Sequence, residues 1–220
     1  MMQHPRIILL GLPGSGKGTQ AALIAKAFGV PTFSSGEYFR NLRREGKLPA
    51  EISAKINAGG LVSDEDVNLI VVESFLSTQE AQAGFVLDGY PRTVAQAAFL
   101  DDYLTKQSLR LTAAIYVDLP VETAFRRISG RRVCPNDGSV YNVYFQPPKR
   151  EGLCDLCGAA LIQREDDRDE SVRTRMATYE AITKALIGYY GDQGKLVTID
   201  GMQAPEAVFA EMRKVLDDQA

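Results

Sequence analysis

Gly11-Leu-Pro-Gly-Ser-Gly-Lys-Gly-Thr19 is a glycine-rich segment whose neighbours indicate the fold class. The apolar run Ile7–Leu10 precedes it, and a helical apolar stripe over Leu23–Phe28 follows. A strand, a glycine-rich turn and a helix N-terminus in this order can bind phosphate, because glycines let successive backbone N–H groups point at an anion. The helix N-terminus adds a partial positive charge, and Lys17 adds a full one. The phosphate-binding residues are therefore expected to be Gly14, Ser15, Gly16, Lys17, Gly18 and Thr19.

Five short apolar segments are separated by helical patterns, which predicts a parallel sheet covered by helices on both faces. The expected strands are Arg6–Leu10, Thr32–Ser34, Phe85–Asp88, Ala113–Val117 and Leu196–Ile199. Capping boxes at Ser63-x-x-Asp66 and Thr93-x-x-Gln96 predict two helix starts. The fold class is therefore an α/β phosphate-loop fold with a five-stranded parallel sheet.

Two segments depart from this rhythm. Residues 35–62 have a helical pattern interrupted by glycines and a proline, and residues 131–166 hold all the cysteines and a Pro147-Pro148 pair. We expect 35–62 to form a small helical lobe and 131–166 a β-rich insertion. The core domain would then comprise residues 1–34, 63–130 and 167–220.

Composition excludes several classes of protein. The 220 residues are 45% hydrophobic with a net charge of −3, so a single buried core is possible and no basic field favours nucleic acid or anionic lipid. No stretch approaches the roughly 20 apolar residues of a membrane span, and the short start before Arg6 leaves no room for a signal peptide. Three cysteines argue against a disulfide framework. We expect a cytoplasmic monomer without nucleic-acid or membrane partners.

A second chemical signal is Phe85-Val-Leu-Asp-Gly-Tyr-Pro-Arg92, a buried strand that ends in an acid and a turn. In a phosphate-loop fold, Asp88 can hold the water shell of Mg²⁺, and Arg92 can reach a phosphate opposite the loop. A strand-end turn with a surface arginine is the alternative.

Arginine is concentrated in one part of the chain: nine of the sixteen lie between Arg126 and Arg175. Clustered guanidinium groups suit planar contacts with phosphate oxygens better than lysines do. Arg127 and Arg131, four apart, are expected to share a helical face, with Arg164 and Arg175 beyond the cysteine segment. An ordinary solvated face with salt bridges is the alternative for any one of them.

The cysteines follow a metal-binding spacing: Cys134-x-x-Asp137, sixteen residues, then Cys154-x-x-Cys157. Three thiolates and a carboxylate form a complete tetrahedral set, which predicts a structural Zn²⁺, although Fe²⁺ or Co²⁺ could fill it. A metal-free segment with three free thiols is the alternative.

The loop places Gly18 between Lys17 and the threonine and carries Pro13 inside it. This variant, together with Asp88–Arg92 and Ser34–Arg40, resembles the adenylate kinase family of nucleoside monophosphate kinases, in its bacterial long-lid form. The resemblance implies the reaction Mg·ATP + AMP ⇌ 2 ADP, a monophosphate-binding lobe at 35–62 and a mobile lid at 131–166. It also implies that residues 163–167 form a return strand into the core.

The resemblance implies the following roles. Lys17, Asp88, Arg92, Arg131, Arg164 and Arg175 would carry the transfer. The loop residues would bind ATP together with Arg127, Arg131, Val140, Tyr141 and Gln203. AMP would be bound by Ser35, Arg40, Gly60, Leu61, Val62, Gly89, Tyr90, Pro91, Arg92, Gln96, Arg164 and Arg175.

Four residues depart from the usual pattern of this family. Ser35 replaces threonine, Gly60 stands where lysine is common, Tyr90 replaces phenylalanine, and Asp137 occupies the second metal corner instead of the last. Alone, Ser35 could equally be a helix cap.

Other functions stay open on the sequence. A kinase for another monophosphate, or one that uses GTP, shares most of these residues, and a non-enzymatic ATP/AMP sensor shares the binding groups. A phosphate-loop GTPase would leave both inserted segments unexplained.

Overall fold

The computed structural model describes residues 4–218, and parallel strands form its centre. The strands are β1 (Arg6–Leu10), β2 (Thr32–Ser34), β3 (Phe85–Asp88), β4 (Ala113–Asp118), β5 (Arg131–Val133), β6 (Val140–Asn142) and β7 (Leu196–Asp200). Five of them pair in parallel in the order β2-β3-β1-β4-β7, and β5 and β6 form a separate antiparallel pair. The five predicted strands are confirmed, with β4 and β7 each one residue longer than expected.

The helices are α1 (Lys17–Phe28), α2 (Ser35–Arg44), α3 (Ala50–Asn57), α4 (Asp64–Val71), α5 (Gln79–Ala83), α6 (Val94–Lys106), α7 (Val121–Ser129), α8 (Asp169–Thr178), α9 (Ala185–Gly191) and α10 (Pro205–Asp217). A π-helical turn over Val72–Leu76 extends α4, and another over Tyr179–Thr183 joins α8 to α9. Ser63 and Thr93 accept hydrogen bonds from the backbone N–H groups three residues on, so both predicted helix starts are confirmed.

The sheet is buried on both faces, which explains why its strands are almost continuously apolar. Alternate residues of β1 point to opposite sides. Ile8 and Leu10 belong to a core cluster that includes α4, α6 and α9. Ile7 and Leu9 belong to a second cluster that includes α1 and α10. The two helix layers thus fix the sheet, and the loops after β1 and β3 open at its carboxyl edge.

The two inserted segments contact each other beside this edge. Asn57, the last residue of α3, donates from Nδ2 to Glu165 Oε2 at 2.9 Å. Its carbonyl accepts a hydrogen bond from Ser171 Oγ at 2.8 Å. The helical segment and the chain that returns from the β-rich segment are therefore linked directly.

Within residues 4–218, no helix is both long and apolar enough to cross a bilayer. Residues 1–3 and 219–220 lie outside the described residues, including part of the N-terminal stretch on which the signal-peptide prediction rests.

Candidate active site

The phosphate loop, Gly11–Thr19, connects β1 to α1 and has the expected shape. Gly14 has φ +87°, and a Cβ there would lie 2.5 Å from the Ala124 carbonyl oxygen, so only glycine fits. Lys17 Nζ donates to the carbonyl oxygens of Gly11 and Leu12, each at 2.8 Å. Burial lowers the pKa of Lys17 to about 8, and the nearby charge of Asp88 opposes that shift. The ammonium is therefore held over the loop in a poorly solvated position.

Asp88 ends β3, beside Leu9 of β1 and Ser34 of β2 in the sheet register. Its Oδ2 would lie 3.5 Å from a Cβ at Gly18, which places the carboxylate next to the first turn of α1. A carboxylate and the N-terminus of a helix thus meet at the carboxyl edge of the sheet.

Arg92 lies across from the loop and is held by neutral groups. Its Nε donates to Gly89 O at 2.8 Å, and Nη2 donates to Ser35 Oγ at 3.3 Å. Burial lowers the pKa of Arg92 to about 10, and the like charge of Arg175 adds to the effect. The side chain is fixed in place, and no ion pair with another residue of 4–218 neutralises it.

Ser35 is not the cap of α2. Ser34 holds that position, and its Oγ accepts from Glu37 N. Ser35 Oγ donates to Gly89 O at 2.6 Å, so it connects α2 to the turn after β3. The helix-cap alternative for Ser35 is therefore wrong.

Two carboxylates organise the arginines from the second half of the chain. Asp167 is fully buried and accepts from Arg131 Nε at 2.7 Å and from Arg131 Nη2 at 2.5 Å. Arg175 Nη1 donates to Asp166 Oδ2 at 3.0 Å. Burial acts against the charge of Arg131, yet Asp167 raises its pKa above the ordinary value.

The charge of Arg164 is less well compensated than that of Arg131. Burial, with the like charges of Arg131 and Arg40, lowers the pKa of Arg164 to about 10. The cluster therefore carries excess positive charge, which an anionic ligand would neutralise.

The predicted nucleotide-binding residues converge on two adjoining cavities. A cleft of about 1210 Å³ runs from the phosphate loop to Val140 and Gln203, and a smaller cavity of about 70 Å³ adjoins it near Ser35 and Gln96. Only Tyr90 and Tyr141, among the predicted residues, line neither of them.

Tyr90 and Tyr141 are both buried and hydrogen-bonded to other residues of the protein. Tyr90 is fully buried, and its hydroxyl donates to Asn68 Oδ1 at 2.7 Å. Tyr141 packs against Cys134 and Cys154, and its hydroxyl accepts from Asp155 N at 2.8 Å. Neither aromatic ring lies against a cavity, because Tyr90 fills the core beside α4 and α6 and Tyr141 fills a small core in the β-rich insertion.

Two further predictions were wrong in local structure. Arg127 and Arg131 do not share a helical face, because α7 ends at Ser129 and Arg131 opens β5. Both nonetheless line the cleft, and Arg127 Nη1 donates to Gly201 O at 2.9 Å. The return segment is a 3₁₀ turn over Glu165–Asp167 and not a strand, which brings its two aspartates to neighbouring arginines.

The metal-spacing residues come together as predicted. One potential ligand atom from each of Cys134, Asp137, Cys154 and Cys157 lies within 4.8 Å of the other three. The two halves are similar turns: the N–H groups of Cys134 and Cys154 donate to Ser139 O and Ala159 O, each at 2.8 Å. Zn–S bonds of about 2.3 Å imply ligand separations of about 3.8 Å, so the group fits a tetrahedral cation with little movement.

A family profile described as "Adenylate kinase" matches residues 9–195. The chain belongs to the adenylate kinase family. It is 47% identical over 215 residues to the adenylate kinase of Thermoanaerobacter sp. (strain X514), which covers 97% of this chain and 99% of that protein. The adenylate kinase of Anaeromyxobacter dehalogenans (strain 2CP-1 / ATCC BAA-258) is 46% identical over 211 residues, covering 96% and 98%. That of Thermotoga neapolitana is 43% identical over 212 residues, covering 96% of each chain.

Membership of the adenylate kinase family identifies the chain as an enzyme, and the general reaction of the family is phosphoryl transfer between ATP and AMP. It also accounts for the overall α/β architecture and for a cleft wide enough for nucleotides.

Sequence reasoning missed the carboxylates that position this adenylate kinase site. Asp64 accepts from Gln96 Nε2 at 2.7 Å and from Thr93 Oγ1 at 2.9 Å. Gln96 Oε1 in turn accepts from Arg92 N at 2.7 Å. The capping-box pattern showed Gln96 only as a helix-start residue. The acidic run 165–167 beside arginines was a usable signal for the other two carboxylates.

Proposed function

We propose that this enzyme transfers the γ-phosphoryl group of Mg·ATP to AMP, reversibly, giving two ADP and balancing adenine nucleotides in the cytoplasm. An AMP phosphate oxygen attacks the γ-phosphorus, and the bond to the β,γ-bridging oxygen breaks, so no covalent enzyme intermediate is needed. The observation that carries the proposal is the meeting of the phosphate loop with four guanidinium groups around one cleft, those of Arg92, Arg131, Arg164 and Arg175.

The donor nucleotide binds along the loop. Lys17 and the loop amides hold the ATP phosphates, because the ammonium and the N-terminus of α1 both attract anions. Arg127, Val140 and Gln203 flank the adenine, and all three line the cleft. Tyr141 contributes indirectly, because its buried ring supports the strand from which the neighbouring Val140 lines the cleft.

The acceptor nucleotide binds between α2 and the turn after β3. Arg40, Arg92 and Arg175 line both cavities and would hold the AMP phosphate, with Ser35 Oγ within reach of Arg92. The base lies in the smaller cavity, between apolar walls. This cavity is lined by Gly60, Leu61, Val62 and Gln96, with Gly89 at the phosphate end and Pro91 in the adjoining cleft.

Mg²⁺ fits the chemistry of the donor side. Asp88 presents a carboxylate beside the first turn of α1, and magnesium prefers oxygen ligands and retained water. We propose that Asp88 orients the water shell of the ion. When bound, the ion neutralises charge on the β- and γ-phosphates.

Catalysis rests on positioning and charge. The arginines neutralise the transferred phosphoryl group, which is the main work a protein can do in this reaction. Water would compete with AMP as the acceptor, so the lid (131–166) and the acceptor lobe (35–62) close over a core of 1–34, 63–130 and 167–220. A monomer suffices, because one chain carries every group named above.

The lid binds a structural Zn²⁺ through Cys134, Asp137, Cys154 and Cys157. So small an insertion buries little apolar surface, so a bound metal would stabilise it. The ion stays out of the chemistry.

The deciding experiment measures ADP formation by the purified protein with Mg²⁺, ATP and each of AMP, GMP, CMP and UMP, and with GTP replacing ATP. We expect rapid ADP formation with ATP and AMP and weaker use of the other pairs. A preference for another pair would identify a different monophosphate kinase. Binding of ATP and AMP without ADP formation would identify a sensor, and would overturn the proposal. Tight binding of two adenosines tethered through five phosphates would further support the shared cleft.

A further inference from the structure

Arg43 lines the smaller cavity and is not used by the mechanism above. Its Nε is buried and has no hydrogen-bond partner among the described residues. It forms none of the ion pairs found within residues 4–218. Two other arginines of this cavity, Arg92 and Arg175, are both held by protein oxygens. A buried donor without a protein partner is costly unless something else accepts from it.

The position of Arg43 corresponds to the base end of the acceptor site. Ser35 begins α2 beside Arg92, and Arg43 follows eight residues later, about 12 Å further along the helix axis. Phe39 lies one turn before Arg43 on the same face and is buried in the cavity wall. A nucleotide whose phosphate contacts Arg92 would therefore extend its base towards Arg43.

The cavity walls there suit a nucleobase. Phe39, Val62 and Val67 supply apolar surface, and Arg43 is a polar side chain of the same lining. A guanidinium has only donors, so it recognises acceptor atoms such as ring nitrogens and carbonyl oxygens. Purines present such atoms on several edges: N7 and N3 of adenine are acceptors, and arginine donates to N7 and O6 of guanine in DNA.

We propose that Arg43 is a specificity-determining residue, whose guanidinium donates a hydrogen bond to an acceptor atom of the purine base of the nucleoside monophosphate. The inference rests on the proposed function, because it assigns the smaller cavity to the acceptor. Arg43 acts on acceptor affinity, with no part in the phosphoryl transfer itself.

The test compares the unmodified enzyme with Arg43→Leu and Arg43→Gln. We expect KM for AMP to rise about tenfold in both variants. This factor corresponds to the loss of one charge-assisted hydrogen bond, at the low end of the free energies that such bonds contribute. KM for ATP and kcat should stay within about twofold. Arg110→Leu removes an exposed arginine from the loop before β4 and should change nothing. Calorimetry measures the affinity for AMP in the same three proteins without turnover. If the unmodified protein binds AMP but makes no ADP, the proposed function is refuted, and the role of Arg43 in binding can still be tested.

Base analogues separate a direct contact from a packing effect. In 1-, 3- and 7-deaza-AMP, one ring nitrogen is replaced by a C–H group. We expect one of them to bind the unmodified enzyme about tenfold more weakly than AMP, and to lose little more in Arg43→Leu. The proposal is overturned if Arg43→Leu leaves AMP affinity unchanged, or if every analogue loses the same factor in both proteins. In that second case the side chain only covers the apolar wall.

Discussion

Asp167, which has no exposed surface, accepts hydrogen bonds from the guanidinium of Arg131 at both of its carboxylate oxygens. The pair ties the first residue of β5 to the 3₁₀ turn by which the chain re-enters the core. Arg131 is thus oriented before any phosphate arrives. Removing Arg131 would lower the reaction rate and would also leave the buried carboxylate of Asp167 without its charged partner. Arg92, in contrast, forms no ion pair within residues 4–218, so its removal breaks none.

Arg92→Ala should therefore separate catalysis from stability. We expect kcat to fall about 10³- to 10⁵-fold, the usual worth of a transition-state arginine in phosphoryl transfer. The thermal midpoint should stay within about 3 °C, since Ser35 Oγ still donates to Gly89 O in the variant. Steady-state kinetics and a melting curve check both, with Arg110→Ala as the matched control. A kcat within tenfold of the unmodified enzyme would refute the role given to Arg92.

Asp167→Asn should act on both properties. The amide keeps the shape of the carboxylate but loses its charge and presents a donor to Arg131. We expect about 2–3 kcal/mol of destabilisation, or about 4–12 °C in the thermal midpoint. We expect kcat to fall by up to about 100-fold, because Arg131 is no longer fixed. Asp192→Asn, at an exposed position after α9, should leave both values unchanged. A variant with normal kcat would show that the orientation of Arg131 does not matter.

Lys17 should give the enzyme an alkaline limit for ATP. Its folded pKa of about 8 lies below the ordinary value of 10.5, so the free enzyme loses this charge as pH rises through about 8. We expect kcat/KM for ATP to decline above that pH, and kcat to decline less, because bound phosphates favour the protonated form. Between about pH 8 and 10.5, the unfolded chain keeps the proton on Lys17 while the nucleotide-free folded protein loses it. The contribution of Lys17 to the free energy of unfolding therefore increases as the pH rises through this range.

Kinetics from about pH 6.5 to about pH 9.5 test this prediction. The remaining activity of Lys17→Arg should show no such decline, because a guanidinium stays charged across this range. A flat kcat/KM profile for ATP in the unmodified enzyme would contradict it.

Metal analysis of the purified protein tests the lid site. We expect about one equivalent of zinc, and a loss of about 4–8 °C in thermal midpoint after chelation, corresponding to about 2 kcal/mol. Asp137→Cys should keep the metal, since it completes a four-thiolate set, whereas Cys157→Ala should lose it. Less than about a tenth of an equivalent of any transition metal in the unmodified protein would return the lid to the metal-free alternative.

The sequence predicted those parts of the site that local chemistry determines. The phosphate loop, the strand ending in Asp88 and the cysteine spacing each need particular residues at fixed intervals, so the pattern is visible in one dimension. The strands were equally accessible, because burial on both faces requires continuous apolar runs.

The remainder depended on packing between distant segments. Nothing near Tyr141 shows that its ring would fill the small core beside Cys154, or near Gln96 that its amide would bind Asp64. Arg131 does not lie on α7, because the helix ends at Ser129 with Gly130 as its C-cap. The spacing of four residues from Arg127 does not indicate where the helix ends. The fold brings together residues that are far apart in sequence, and local sequence patterns do not predict such contacts.

If the acceptor lobe (35–62) and the lid (131–166) move as proposed, the hydrogen bond from Asn57 to Glu165 makes their movements depend on each other. A shift of either one must stretch, break or carry along that link. Any preference that it creates for joint movement must work in both directions, so AMP would alter the affinity for ATP by the same factor as ATP alters the affinity for AMP. The order in which the two nucleotides arrive then changes how fast the ternary complex assembles, and leaves its final free energy the same.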